Sequence, residues 1–466
     1  MGRLHLEVFK TVKDNKSRHI TRLSHDDGGQ SFEVFHEFDR IMPTSIDAPL
    51  DAYVLAVLLY ASSQHKPLVV HGPMTRGALR NMDELLVAWN RWRPDRYHGI
   101  DIVPDRVVTP CDGGRGDNSI AAFSGGVDAT FTALRHAASR HSGNDANRRY
   151  PVQAALMVHG FDVDVYNGKD FGHLVARTRP LLDALKLDLR TIRTNSRDLR
   201  LQDWDDSSGL ELAACLHMFA GEFRYGLIGS TKSYDTLVLP WGSNPATDYL
   251  MCGEGFNIVH DGAGYSRTDK IAEILRYPVA SETVKVCYAG VDQSRNCGRC
   301  EKCVRTMLNF LAAGAVKTPP CFPGELNLDD VRNIKIDHEA QMVEHASLVA
   351  YAKAHHITGP WLPILEERLA IWRPVAEPAM TTRKSGGPLK RCVARALAAL
   401  GIQEPAKRIW RPLRRAILLA KDDLLSRRKI ARLKKQLRFA VHNAQQTVSS
   451  TMSTPPIGLG PGSEHP

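Results

Sequence analysis

Two stretches of this chain carry residue types that do chemistry. The first is Ser124-Gly125-Gly126-Val127-Asp128-Ala129-Thr130, which follows the apolar run Ile120-Ala121-Ala122-Phe123. Apolar residues at Val127, Phe131 and Leu134 then recur at helical spacing, so the stretch reads as strand, glycine loop and helix. Such a loop favours phosphate. The first turn of a helix offers unpaired N–H groups and the positive end of its dipole, and glycine lets an anion come close to the backbone. Ser124 and Thr130 add hydroxyls, and Asp128 suits a magnesium ion or its waters. The same residues also fit an ordinary strand-to-helix turn with a serine cap. The lysine of a Walker-type loop is missing.

The second stretch is Cys287-Tyr288-Ala289-Gly290, followed by Cys297-Gly298-Arg299-Cys300-Glu301-Lys302-Cys303. Four thiolates at this spacing close a tetrahedral shell around zinc and leave no position for water, so the metal is structural. An iron–sulfur centre uses the same ligands and stays open as an alternative. Gly298 relieves crowding in the tight turn, and Arg295, Arg299 and Lys302 offset thiolate charge. The other five cysteines, Cys111, Cys215, Cys252, Cys321 and Cys392, are scattered, which favours metal binding in a reducing compartment over a disulfide framework.

The loop resembles the pyrophosphate loop of the PP-loop ATP pyrophosphatases, in the adenine nucleotide alpha-hydrolase superfamily, usually written SGGxDS. Ala129 stands where that pattern has serine, and Thr130 follows it. With the cysteine motif added, the stretch of about 120–315 resembles 7-cyano-7-deazaguanine synthase, the queuosine-pathway family. The resemblance implies ATP cleavage to AMP and pyrophosphate, adenylation of a carboxylate, and nitrogen transfer from ammonia to give an amide and then a nitrile. It implies that Ser124, Gly125, Gly126 and Asp128 hold pyrophosphate and magnesium, and that Cys287, Cys297, Cys300 and Cys303 hold structural zinc.

These residues need elements to position them. Strands are expected at 120–123, 152–158, 189–193, 225–228 and 256–259, with helices at 127–139, 171–185 and 209–223 between most of them. That alternation predicts an α/β fold with a doubly wound parallel sheet, whose ligand lies beyond the carboxyl ends of the strands. The prediction brings Val127, Ala129, His159, Gly229 and Ser230 to the same crevice as Ser124 and Asp128. A helix starting at Ser266 carries Arg267 and Lys270 within reach of phosphate, Lys270 being a catalytic candidate with Ser124 and Asp128. The 240–248 loop offers Asn244 and Asp248 to a polar substrate ring, with Trp241 as a wall.

Around this core, residues 1–115 read as a small α/β module, with strands at 4–9, 32–36 and 67–71 and helices at 51–62 and 81–92. Nucleotide binding is assigned to 116–280 and the cysteine module to 281–325. A helical extension follows at 326–380, helical over 338–371, then a linker at 381–388 within a basic helical tail at 381–444, and a disordered 445–466. From Lys384 to Arg438 there are 17 Lys and Arg against three acids, more than the chain's net charge of +10, so basicity belongs to the tail. A basic amphipathic tail suits nucleic acid, an anionic membrane surface or an acidic partner, or it packs on its own body.

No apolar signal or spanning segment is present, which points to a soluble cytoplasmic protein; a homo-oligomer is compatible. Three functions follow: an ATP-dependent, AMP-forming ligase acting on a small acid or amide with ammonia or another nitrogen donor; a tRNA-modifying thiolase-type enzyme using Cys252 or Cys215; or a nucleotide sensor without turnover, hinted at by Ala129.

Overall fold

Alternation of side chains along short apolar strands dictates the architecture. In the computed structural model, which describes residues 2–43, 45, 48–109, 116–137 and 149–372, ten strands form one sheet. They are β1 (Leu4–Lys13), β2 (Lys16–His25), β3 (Phe32–Phe38), β4 (Leu68–Thr75) and β5 (Ile102–Val108). Then follow β6 (Ser119–Ala122), β7 (Val152–His159), β8 (Asp188–Thr194), β9 (Tyr225–Gly229) and β10 (Asn257–Asp261). The order is β10-β9-β6-β7-β8-β3-β2-β1-β4-β5. From β10 to β8 every pairing is parallel, β8-β3-β2-β1 is antiparallel, and β1-β4-β5 is parallel again.

The period of two along β6 sorts its residues between two cores. Ile120 and Ala122 join Leu210, Ala213 and Leu216 of the helix Trp204–His217. Ala121 and Phe123 join the helices Val127–His136, Gly168–Leu185 and Arg267–Leu275 on the opposite face. Both faces are therefore covered, as a parallel sheet requires. A third core packs Val304 and Leu308 of the helix Glu301–Ala312 against Leu348 and Trp361 of the helices Glu339–Ala354 and Trp361–Ile371.

The five expected central strands and the α/β class are present. Two strands were not anticipated. β2 hides its alternation because its buried face is polar, with Ser17, His19 and Thr21 preceding Leu23. It forms a hairpin with β1 through Asp14 and Asn15, both at positive φ, as a two-residue hairpin turn demands. β5 is an edge strand with most residues exposed or half-exposed, so it lacks an apolar signature. The helix expected across 338–371 is two helices, broken around His356 (φ 53) and ahead of Pro360. The helix expected over 51–62 is likewise split, at Ala56 and Val57. Residues 1–115 do not close on themselves: β3 pairs with β8, so the N-terminal strands extend the central sheet. The linker and basic tail beyond 373, most of the 112–118 linker, and Cys111 and Cys392 lie outside the described residues.

One contact fixes the loop that walls the crevice. A Cβ on Gly209 would meet the Gly242 carbonyl oxygen at 2.0 Å, so the helix Trp204–His217 touches the 240–248 loop backbone to backbone. Gly209→Ala should therefore destabilise the protein by about 2 kcal/mol through overpacking, read as a lower urea midpoint at unchanged slope.

Candidate functional site

The crevice forms where the strand order reverses, between the carboxyl ends of β6 and β9. The chain leaves β6, turns at Gly125 (φ 74) and enters the helix Val127–His136 with Gly126 as its N-cap and no side-chain cap. A positive φ is why glycine stands at 125. The Ser124 hydroxyl accepts from the Gly126 N–H at 3.3 Å, and the Gly125 carbonyl accepts from the Lys285 N–H at 2.8 Å. Opposite, Gly229 closes the approach: a Cβ there would meet the Asp128 carbonyl oxygen at 2.8 Å.

A cavity of about 240 Å³ opens onto this loop. Ser124, Gly126, Val127, Asp128, Ala129 and Gly229 line it, so much of the expected constellation converges. Its charged lining residues are Arg267, Lys285 and Lys302 against Asp128 and Asp162, a cationic balance. Phe161, Trp204 and Trp241 supply an aromatic wall. Arg197 stacks over Trp204 at 4.4 Å and donates to the Phe161 carbonyl, which ties that wall together.

Asp128 is the electrostatic centre. Its two carboxylate oxygens accept from Arg267 Nη1 at 3.0 Å and Lys270 Nζ at 3.2 Å. Burial pushes the carboxyl up, but Arg267, Lys270 and then Lys302 outweigh it and hold it at about 2. Lys270 also donates to the Ser230 carbonyl and is 1% exposed, so it acts through Asp128 from behind the cavity wall. Arg267 and Lys270 both come from the helix Arg267–Leu275, whose Ser266 and Asp269 form a capping box.

Several expected residues sit elsewhere. Thr130 is buried with its hydroxyl unpartnered among the described residues and does not line the cavity. His159 stacks on Phe171 with ring centroids 4.5 Å apart, its Nε2 meeting the Asp164 carbonyl at 2.9 Å. Ser230, His260 and Asp248 are joined in the order of a hydrolytic triad, at 2.8 and 2.7 Å. Ser230 is wholly buried, however, and its hydroxyl donates to the Lys232 carbonyl, so the relay anchors the 240–248 loop. Asn244 and Asp248 bond within that loop, and Trp241 and Ser243 face the cavity in their place.

The four cysteine sulfurs lie within 4.8 Å of one another, with Cys287–Cys300 and Cys297–Cys303 at 3.9 Å. A disulfide needs about 2 Å, whereas one tetrahedral zinc with bonds of about 2.3 Å sets sulfurs about 3.8 Å apart. The cluster therefore fits a single metal ion such as zinc; a multi-iron cluster would spread its ligands further. Hydrogen bonding to Cys297 holds the Cys287 thiol well below its ordinary range. The Gly290 N–H donates to Cys287 at 3.2 Å and the Cys300 N–H to Cys297 at 3.3 Å, the backbone support a thiolate site needs. Gly298 (φ 77) makes the turn between two ligands.

Sequence reading missed three residues here. Asn296 accepts from the Val286 and Cys287 N–H groups and donates to the Val284 and Cys321 carbonyls, locking the module from within. Lys285 was not singled out, and Lys302, expected to balance thiolate charge, lines the cavity. The available signal was position: Lys285 precedes a ligand by two residues and Lys302 sits between two of them. In comparisons with known proteins, no family model, curated protein or solved structure matches the chain. No helix among the described residues is long and apolar enough to cross a membrane.

A carboxyl held below its unfolded value stabilises the fold above that value and loses the contribution as pH falls through the folded one. For Asp128 the window runs from 3.8 down to about 2. Asp128→Asn should remove a share of about 2 kcal/mol from the acid limb of unfolding free energy across that window. Chemical denaturation at a series of pH values checks it.

Proposed function

We propose that this chain is an ATP-dependent, AMP- and pyrophosphate-forming enzyme of the PP-loop type. It activates a carboxylate or amide for nitrogen transfer, as 7-cyano-7-deazaguanine synthases do. One observation carries the reading: an uncapped helix N-terminus at Gly126 opens into a cavity whose charged lining is cationic. That combination suits a polyphosphate. In the reaction, an acceptor carboxylate oxygen attacks the α-phosphorus, and the α–β P–O bond breaks with its electron pair leaving on pyrophosphate. Ammonia then adds to the acyl carbon, AMP leaves, and the nitrogen loses a proton to give the amide.

The protein's part is charge stabilisation and positioning. Arg267, Lys285 and Lys302 offset the charge that gathers on pyrophosphate, and Asp128 with Lys270 orients Arg267. Magnesium enters this reading as the companion of the nucleotide's phosphates, since both Asp128 oxygens already face cations. The four cysteines would hold zinc, which supplies rigidity here. The aromatic wall of Phe161, Trp204 and Trp241 suits a flat acceptor or base, and the acceptor need not be a deazaguanine.

A thiolase-type reaction is less well supported, because neither Cys215 nor Cys252 lines the cavity and burial pushes both thiols up. A nucleotide sensor without turnover is favoured by one feature, the pairing of Ala129 at the cavity with a Thr130 hydroxyl turned away from it.

The test is AMP and pyrophosphate release from ATP and magnesium, with 7-carboxy-7-deazaguanine and related acids, alongside Asp128→Ala and metal analysis. The expected outcome is acid-dependent release that drops at least ~100-fold in the variant, the scale of losing a charge-stabilising group, with one zinc per chain. ADP formation contradicts the assignment. Tight ATP binding with no turnover across the acids selects the sensor.

A further inference from the structure

Two cavity-facing lysines lie outside the glycine loop and its supporting helix. Lys285 is 4% exposed and Lys302 is half-buried. Both line the cavity, and neither ammonium has a hydrogen-bond or ion-pair partner among the described residues. The neighbouring buried cations differ in this respect. Arg267 and Lys270 are held by Asp128, Lys232 by Glu344, and Arg305 by Glu301 and Glu344. Asp162 and Asp128 attract Lys302 only from a distance. Both ammoniums therefore keep their donors available to the cavity, where an entering anion would supply the partner they lack.

Both lysines are mounted on the cysteine module. Lys285 precedes Cys287 by two residues; its N–H is bonded to Gly125, and the next two N–H groups are bonded to Asn296. Lys302 lies in the first helical turn between Cys300, the N-cap, and Cys303. The sulfurs of these two segments are 3.9 Å apart and unbridged, so a single bound metal would tie one segment to the other.

We propose that Lys285 and Lys302 form an anion clamp for a di- or triphosphate, and that the four-cysteine metal knot sets the spacing of the clamp. The proposal rests on the nucleotide reading of the cavity, in which these lysines already face pyrophosphate, and adds to it their action as a pair and the device that positions them. Metal loading then governs phosphate affinity, and a nominally structural metal becomes part of the binding machinery.

The experiment titrates inorganic pyrophosphate into the purified full chain by calorimetry, for wild type, Lys285→Met and Lys302→Met. Metal content and circular dichroism confirm that each variant is folded and loaded. Each substitution should raise Kd about tenfold, the worth of one charge-assisted hydrogen bond. In cobalt-loaded protein, saturating pyrophosphate should shift the thiolate-to-cobalt absorption in wild type and leave it unmoved in Lys302→Met. Kd values within twofold of wild type overturn the clamp. A wild-type spectrum that stays still at saturation overturns its link to the metal. Wild type that binds no pyrophosphate overturns the nucleotide reading itself, and the clamp with it.

Discussion

The crevice depends on one carboxylate, largely enclosed but open to the cavity. Asp128 sits in the first turn of the helix Val127–His136 and faces two cations from the helix Arg267–Leu275, one of which also holds the end of β9 through the Ser230 carbonyl. A single anion thus joins three elements that approach from different directions. Removing one partner of such a buried set costs about 3–5 kcal/mol, because the remaining charges stay in low dielectric. The arrangement also fixes Arg267 at the cavity beside a helix N-terminus, where Lys285 and Lys302 complete a cationic lining and a second anion finds both dipole and charge in its favour.

A second buried network reaches the same crevice from the far side. Lys232, just after β9, is bound by Glu344 and the Ala340 carbonyl of the helix Glu339–Ala354. Arg305 bridges Glu344 to Glu301 in the first turn of the helix that begins at Cys300, and His345 meets Glu301 at 3.1 Å. The C-terminal helices are thereby connected both to the loop after β9 and to the cysteine module. Burial raises Glu301, but His345 and Arg305 outweigh it and hold it at about 2, so the network is charged at neutral pH. The helices that follow the cysteine module are therefore part of the frame around the cavity.

What the sequence made legible followed from local rules. The parallel core was readable because most strands from β6 to β10 carry short apolar runs separated by helical periodicity, and the four-cysteine cluster because thiol spacing alone constrains it. The polar buried face of β2 defeated pattern reading, since Ser17, His19 and Thr21 look solvent-facing, whereas all three are buried and Phe38 and Tyr53 pack on His19. Asn244 and Asp248 read as ligands because their types can bind a substrate, whereas their loop uses the same groups to satisfy its own backbone. Lys302 read as a counter-charge to thiolates because its neighbours in sequence are cysteines, while the helix turns it toward the cavity. In each case the missing information was direction: residue type names the chemistry available, and tertiary packing decides where it points.

The central claim is that phosphate binds at the N-terminus of the helix that Gly126 caps. A crystal structure of the zinc-loaded chain with an ATP analogue whose α–β bridge resists cleavage tests it most directly. The account predicts phosphate density against the N–H groups of Gly126 and Val127, with the base or acceptor end toward Trp204. A nucleotide bound elsewhere, or a cavity that admits only apolar ligands beside an empty glycine loop, would contradict it.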